Sequence, residues 1–378
     1  MTRVKFQRVN SKIEATRQEI STIKTQLKPR RPRQSVKVKN RDICVRKPKI
    51  IADLSSKVVL TDSTWQFVEI YLRSQNQDDA LFYWKQARNF YESTKILSVV
   101  SKPLTAYYCF LNATKALLEV KNVNYDLSHG VTGKRVNGHV GIQNELVKFQ
   151  PAGVLAALGK YLGEHVPAGG EEFTLKNILY NLPFIHRAFT ITYRNMAELF
   201  IPVLEPRLVY NNKEDKGWLE LKLEPEHSTT RNLSRLVGYS LDPQYDNSVS
   251  YTLRRNKKFE WKLTKGVPTQ ESLTKLHEYH KQRRKELRYI YSSNALWYVK
   301  RKDLKNNIIN KSTLTLIFGA MHRLSELSRY TPQDLSKHLE KNASWLLTEF
   351  ISKSIYQFID QISSEITGND FRVTGFRD

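Results

Sequence analysis

Long stretches with apolar residues at helical spacing sit at the two ends of this chain, and a strand-like region separates them. In residues 78–97, Leu81, Trp84, Ala87 and Tyr91 recur three and four apart, and in residues 103–120 Leu104, Tyr107, Leu111 and Leu118 share one arc. Pro103 stands in a first turn, where a missing N–H costs nothing, so the second helix starts there and packs antiparallel to the first. Far downstream, residues 311–328 carry Leu314, Ile317, Met321, Leu324 and Leu327, and residues 343–366 carry Trp345, Leu346, Phe350, Ile351, Ile355, Phe358, Ile359 and Ile362. Apolar stripes must be buried against something, and the nearest match for each is another stripe, so both ends should join in one helical bundle.

Between the bundle halves, Gly130, Gly133, Gly138 and Gly141 dot a loop without the spacing of a phosphate-binding glycine motif, and a short helix follows at 151–162. Residues 172–265 contain strand-like runs at 188–193, 198–204, 218–223, 248–254 and 259–263. Helices resume at 269–291, 294–303 and 333–341. The fold expected is mainly α with an α+β insert, a bundle split by a sheet-containing middle region. The divisions are an amphipathic heptad helix at 1–28, a basic linker arm at 29–60, bundle halves at 61–145 and 268–378, and the insert at 146–267. No period of 20–50 residues argues for a solenoid.

No run approaches the roughly 18 apolar residues of a membrane span, and Met1-Thr2-Arg3-Val4-Lys5 lacks a signal peptide's apolar segment, so a soluble cytoplasmic protein with no membrane association is expected. Cys44 and Cys109 form neither a disulfide framework nor a metal-ligand spacing, and His277 with His280 lacks the Glu of a zinc helix. Neither metal nor cofactor is expected.

Charge is the composition's strongest statement: 61 Lys and Arg against 37 Asp and Glu give +24, which favours polyanionic partners. In residues 1–50, sixteen cations minus three acids leave +13, so over half of the excess lies in the first eighth of the chain. Within it Phe6, Val9, Ile13, Ile20, Ile23 and Leu27 occupy heptad positions, an amphipathic helix over 4–28 that could dock on a partner, a second copy or its own domain. Pro29 ends this helix, and Arg30, Arg31, Arg33, Lys37, Lys39 and Arg41 follow in a segment read as extended and mobile, a phosphate-contacting arm or a solvated tether. A second basic patch, Lys281, Arg283, Arg284, Lys285, Arg288, Lys300, Arg301 and Lys302, is interleaved with Tyr279, Tyr289, Tyr291, Trp297 and Tyr298. Single-stranded nucleic acid uses such pairing for phosphate contact and base stacking, although buried aromatics beside snorkelling cations give the same pattern.

Trp84 to Phe90 with Gln86-Ala87-Arg88, the string Pro103-Leu104-x-x-Tyr107-Tyr108-x-x-Leu111-Asn112-x-x-Lys115-Ala116, His129-Gly130, Arg329-Tyr330-x-Pro332 and Trp345-Leu346 occur in an order that resembles the YaaC-like family across most of residues 65–367. The resemblance implies a bacterial cytoplasmic protein and no particular reaction. The helix pairs more weakly resemble the four-helix HEPN bundle of ribonucleases, toxins and antiviral effectors. Ribonucleases of that type carry Arg, four to six residues, then His; none of the nine histidines here has such an Arg, the nearest pair being Arg135 and His139.

One polar stripe could still form a site. At 100° per residue Tyr108, Asn112, Lys115 and Glu119 border the apolar arc of their helix. If His129 folds back over them, Lys115 could hold a phosphate, Asn112 orient it and His129 move a proton. The competing reading is a solvated face, with Asn112 satisfying a helix end and His129 closing a loop. Arg329 could join the site or bond terminal carbonyls and a carboxylate. Three functions follow: a nucleic-acid-binding subunit of a bacterial antiviral or mobile-element defence complex; a HEPN-like ribonuclease or nucleotide-processing effector using His129 with Lys115 or Arg329; or a non-catalytic adaptor docking through its heptad helix.

Overall fold

The structure is a computed structural model that describes residues 12–19, 33–136, 138–227, 229–246, 250–292 and 296–373. It divides into two compact units, Met1–Cys44 with Val203–Leu276, and Val45–Pro202 with His277–Asp378. Helix accounts for 46% and strand for 21%, with a large antiparallel sheet. The expected mainly α, HEPN-like bundle is therefore corrected. Four of the five strand-like runs do not decorate a bundle but supply strands.

The first unit contributes six strands to that sheet. Phe200–Asn211, which enters the unit at Val203, and Lys216–Leu223 make a long antiparallel hairpin, with Tyr251–Arg255 and then Tyr239–Leu241 continuing beyond the second strand. Gln34–Ser35 pairs with Tyr210 and Val209, and Phe259–Glu260 pairs with Gly217 and Lys216. Trp218, Leu219, Leu221, Leu223, Leu253 and Trp261 are buried, the packing that pleated, bulky side chains favour. The segment expected as a mobile tether is built into the fold: Val36 donates its N–H to the Leu208 carbonyl at 2.9 Å, and Arg33 pairs with the buried Glu220. Two hydrophobic anchors, Val36 and Ile43, hold it there.

The second unit contains the helical stripes. The Lys102–Val120 helix is its centre, burying Phe110, Leu111, Ala113, Ala116 and Leu117 and packing against Asp78–Lys95, Thr313–Tyr330 and Ser344–Thr367. Phe110 stacks on Phe358 with ring centroids 4.2 Å apart, and Trp84 donates Nε1–H to the Trp65 carbonyl at 3.0 Å. Ser312 caps the Thr313–Tyr330 helix by accepting from the Thr315 N–H, and Gly368 ends the last helix in a left-handed conformation. A three-stranded antiparallel sheet of Val131–Arg135, Glu145–Phe149 and Glu171–Thr174 lies in the same unit.

Two local expectations fail for identifiable reasons. Residues 188–193, read as a strand from their β-branched content, belong to the helix His186–Thr192; Thr190 and Thr192 donate hydroxyls to carbonyls four residues back, which reconciles threonine with helical backbone. The end of the expected helix 269–291 and the expected helix 294–303 instead supply the hairpin Leu287–Ile290 and Leu296–Lys300, whose alternation buries Leu287, Tyr289, Trp297 and Val299.

Truncating Phe110→Ala should cost about 3–5 kcal/mol in urea unfolding because the side chain is enclosed, whereas Ile96→Ala, at a position 88% exposed, should change stability by less than about 0.5 kcal/mol. Equal effects would show that this helix is not the core.

Candidate functional site

A cleft of about 710 Å³ in the second unit is lined by three segments: the start of Lys102–Val120, the loop 128–132 with 150–152, and the end of Thr313–Tyr330. The last helix contributes His322, Glu326 and Arg329, spaced four and three apart and so on one stripe of an otherwise apolar helix. Tyr107 comes from the opposite helix, and its ring centroid lies 5.4 Å from that of His129 and 5.0 Å from that of His322. The two imidazole centroids are 5.8 Å apart.

Backbone geometry holds His129 at the cleft. Gly130 has φ 74° and Gly153 has φ 101°, and a Cβ on Gly153 would come within 2.6 Å of Gly130's own backbone, so these two glycines allow the loop to cross the start of the Val154–Tyr161 helix. At that crossing Val154 donates its N–H to the Ser128 carbonyl at 2.9 Å, and Leu155 donates to the His129 carbonyl at 3.1 Å. Helix N–H groups that would otherwise lack partners thus fasten the histidine loop.

Beneath the cleft lies a buried carboxylate, Glu145. It accepts from Arg135 Nε at 2.7 Å, from Arg323 Nη2 at 2.7 Å and Nε at 3.0 Å, and bonds His338 Nε2 at 2.9 Å. Burial alone would raise its carboxyl, but the hydrogen bonds from His338, Arg323 and Arg135 outweigh burial and bring it down to about 2. Arg323 also reaches Glu326 Oε2 at 2.8 Å, so the same guanidinium orients an acid of the cleft wall.

Burial, followed by the charges of His129 and Arg323, brings His322 down to about 3. His129, half-buried, is lowered by burial first and by Lys115 second, against an opposing pull from Glu326. Both rings therefore favour the neutral form, and with His322 brought so far down, His129 is the one of the two suited to accept a proton. Tyr107 Oη and His322 Nδ1 are buried without a hydrogen-bond partner, the nearest carboxylate oxygen to the latter being Glu326 Oε1 at 3.9 Å. Two buried polar atoms without partners, one on each of two facing helices at the cleft, are what a ligand's polar groups would satisfy.

Of the residues proposed from sequence, His129 and Arg329 meet in this cleft. Lys115 stands behind it, its ammonium 5.2 Å from the Tyr83 ring, and acts on His129 through its charge. Asn112 donates Nδ2–H to the Tyr108 carbonyl at 2.8 Å, a bond within its own helix, and does not line the cleft. Sequence reasoning passed over His322, Glu326 and Glu145 and counted Tyr107 as apolar core; the polar stripe at 322, 326 and 329 was the available signal.

The basic residues are spent more heavily than their sequence suggests. Arg283, Arg284, Arg288, Lys300 and Arg301 are buried, whereas Lys285 and Lys302 are exposed and Lys281 is intermediate. In the arm, Arg33 holds Glu220 and covers the Tyr245 ring, Lys37, Lys39 and Arg41 are exposed, and Arg30 and Arg31 lie outside the described residues. Of the heptad positions only Ile13 is described, exposed on the helical stretch 12–19; Phe6, Val9, Ile20, Ile23 and Leu27 lie outside. His280 Nε2 accepts the Arg46 N–H at 3.0 Å, which removes it from any ligand pair with His277. Among the described residues the one trio with donor atoms gathered within 4.8 Å is Glu224, Glu226 and His227, of which both glutamates are exposed.

A family model described as YaaC-like Protein matches residues 55–366. This chain belongs to the YaaC-like family. The match takes in the whole cleft, from Leu104 to Tyr330, and leaves out the N-terminal heptad segment. Curated proteins and solved structures give no match to this YaaC-like chain. Among its described residues no helix is long and apolar enough to cross a membrane.

Two outcomes are expected. Glu145→Gln removes the charge from three donors and should cost about 3–5 kcal/mol at pH 7. Because the folded carboxyl titrates near 2 and the free one near 4.5, the contribution is full above about pH 4.5 and is lost as pH falls through about 2, so the variant should also show a flatter acid limb in urea titrations. Wild-type stability in the variant at pH 7 would refute the assignment. Lys115→Met should raise the His129 pKa, read from imidazole NMR shifts; an unchanged or lower value would exclude Lys115 as a cause.

Proposed function

We propose that this protein is a cytoplasmic nucleic-acid-binding protein that takes a single strand across the His129 cleft. The observation that carries this reading is the pair of buried, unpartnered polar atoms, Tyr107 Oη and His322 Nδ1, in a cleft that is also lined by the exposed Arg329 and Tyr330. The Arg329 guanidinium lies 5.0 Å from the Tyr330 ring, so a cation for a phosphate and a π-face for a base stand side by side. The excess of +24 favours encounter with a polyanion.

A second reading, cleavage of RNA, is favoured by the depressed basicity of His129. A neutral imidazole can take the proton of a 2′-hydroxyl as that oxygen attacks the adjacent phosphorus; the bond from phosphorus to the 5′ oxygen breaks, water protonates the leaving oxygen, and a 2′,3′-cyclic phosphate results. Arg329 would offset charge on the phosphoryl oxygens.

Fluorescence anisotropy with a labelled single-stranded RNA tests the binding reading. Binding should fall steeply with salt, and Arg329→Ala with Tyr330→Ala should weaken it by roughly tenfold or more. Absence of binding at low salt, or indifference to both substitutions, would defeat it. Cyclic-phosphate product that disappears in His129→Ala supports cleavage; binding without product leaves only the first reading.

A further inference from the structure

A second cavity in the same unit, about 620 Å³, is walled mainly by cations. Nine Lys and Arg side chains line it against two acids, Glu164 and Glu286. Lys311 is also paired with Glu171 at 2.6 Å and Arg301 with Asp303 at 2.5 Å. Nine basic side chains less these four acids leave five without an acidic counterpart around one cavity.

The deepest cations are the informative ones. Lys300 is 7% exposed, and its ammonium donates to the Ile309 carbonyl at 2.6 Å. Arg288 is 9% exposed and donates to the carbonyls of Arg284 at 2.9 Å and Lys311 at 3.5 Å. Among the described residues neither has a carboxylate within ion-pair distance; their hydrogen bonds go to peptide carbonyls. Arg283, 4% exposed, pairs through Nη1 with Glu286 at 3.0 Å, yet its Nε–H is buried without an acceptor. Lys49 donates to the Leu162 carbonyl at 2.7 Å and has Glu164 Oε1 3.8 Å away. Of the two acids on the wall, Glu286 is tied to Arg283 and Lys302, while Glu164 accepts the Ser312 N–H through Oε1 at 2.6 Å and keeps a buried Oε2 without a hydrogen-bond partner. Burial penalises these charges strongly: Lys300 is pulled well below the usual lysine range, Lys49 down to about 8 and Arg288 to about 10, burial being the largest cause in each and the charge of Glu164 opposing it.

A buried cation without a counter-charge is expensive, and a chain with this many around one cavity loses stability unless an anion repays the desolvation. We propose that this cavity is a binding site for a compact polyphosphate anion, such as the triphosphate of a nucleotide or of an RNA 5′ end. Lys300, Arg288 and the Arg283 Nε–H meet its innermost oxygens, and the exposed Lys285 and Lys305 form its entrance. The cavity is of the size that holds nucleotide-scale ligands, and its walls are too cationic for an apolar one. Guanidinium forks and ammonium groups together are the usual recognition set for clustered phosphate oxygens. The site uses none of the residues of the His129 cleft, so it stands or falls separately from the reading of that cleft.

The full chain is titrated with inorganic triphosphate, with sulfate at matched ionic strength as reference, and followed by thermal unfolding and calorimetry. Triphosphate should raise the melting temperature by several degrees with micromolar affinity, and His129→Ala should leave this intact. Lys285→Glu with Lys305→Glu, both exposed and so compatible with folding, should lower affinity at least tenfold. Lys300→Met should melt higher than wild type without ligand, because an uncompensated charge is gone, and should lose most of the triphosphate response. A 5′-triphosphorylated oligonucleotide that binds no better than triphosphate identifies the free anion as sufficient; tighter binding assigns the polyphosphate to a strand end. A triphosphate response no larger than that of sulfate, equal binding of a 5′-monophosphorylated oligonucleotide, or a response that survives both the Lys285/Lys305 and the Lys300 substitutions overturns the proposal.

Discussion

Everything around the His129 cleft depends on one buried carboxylate. Glu145 sits on the central strand of the small sheet, Arg135 on its neighbour, Arg323 on the Thr313–Tyr330 helix and His338 on the helix Pro332–Glu340, so a single acid ties four elements together. Removing one partner from such a cluster would leave a bare charge in a low-dielectric interior, which is why the cluster behaves as a unit. Arg323 links it to Glu326 of the cleft. The cleft is therefore supported from below by electrostatics and from the side by the Gly130 and Gly153 crossing.

The second unit handles buried charge unevenly. Where acids are available the cations are matched: Lys47 bonds both oxygens of Asp360 at 2.9 and 3.0 Å, and Tyr289 donates to the same carboxylate at 2.8 Å. Glu365, raised by burial and steadied by the Lys49 and Ile50 N–H groups, is another well-bonded buried acid. Around Arg288 and Lys300 the matching thins: their hydrogen bonds go to carbonyl oxygens, and Glu164 is the acid whose charge reaches both. Within one core, then, a satisfied network and an unsatisfied one lie close together, and the difference between them is the physical basis for expecting an anion at the second.

Legibility followed periodicity. The stripes of the helices at 78–95, 102–120, 313–330 and 344–367 were readable because apolar residues recur along a single element, and Phe110 against Phe358 is the contact such stripes lead to. His129 and Arg329 were nameable as candidates, but their meeting across two hundred residues was not. His322 was missed because one imidazole on an apolar helix face looks like any buried histidine. The 287–300 hairpin was misread because alternating aromatics and cations over a short span fit a helix with snorkelling lysines as well as a strand with arginines turned inward. The basic arm was misread for a related reason: Val36 and Ile43 are two apolar residues among many charges, too few to register as anchors until a sheet edge meets them.

What the sequence by itself determined is the set of core helices and the cationic excess, which depend on local spacing or on counting, together with a resemblance to the YaaC-like family that the family match bears out. Which cations are spent, which are buried bare and which acids answer them was decided only by tertiary structure. Lys47 and Asp360 are 313 positions apart, and Arg323 and Glu145 are 178 apart. Burial and pairing depend on distance through space, and for a charged side chain they decide whether it is a surface contact, a structural bond or an unpaired charge that calls for a ligand.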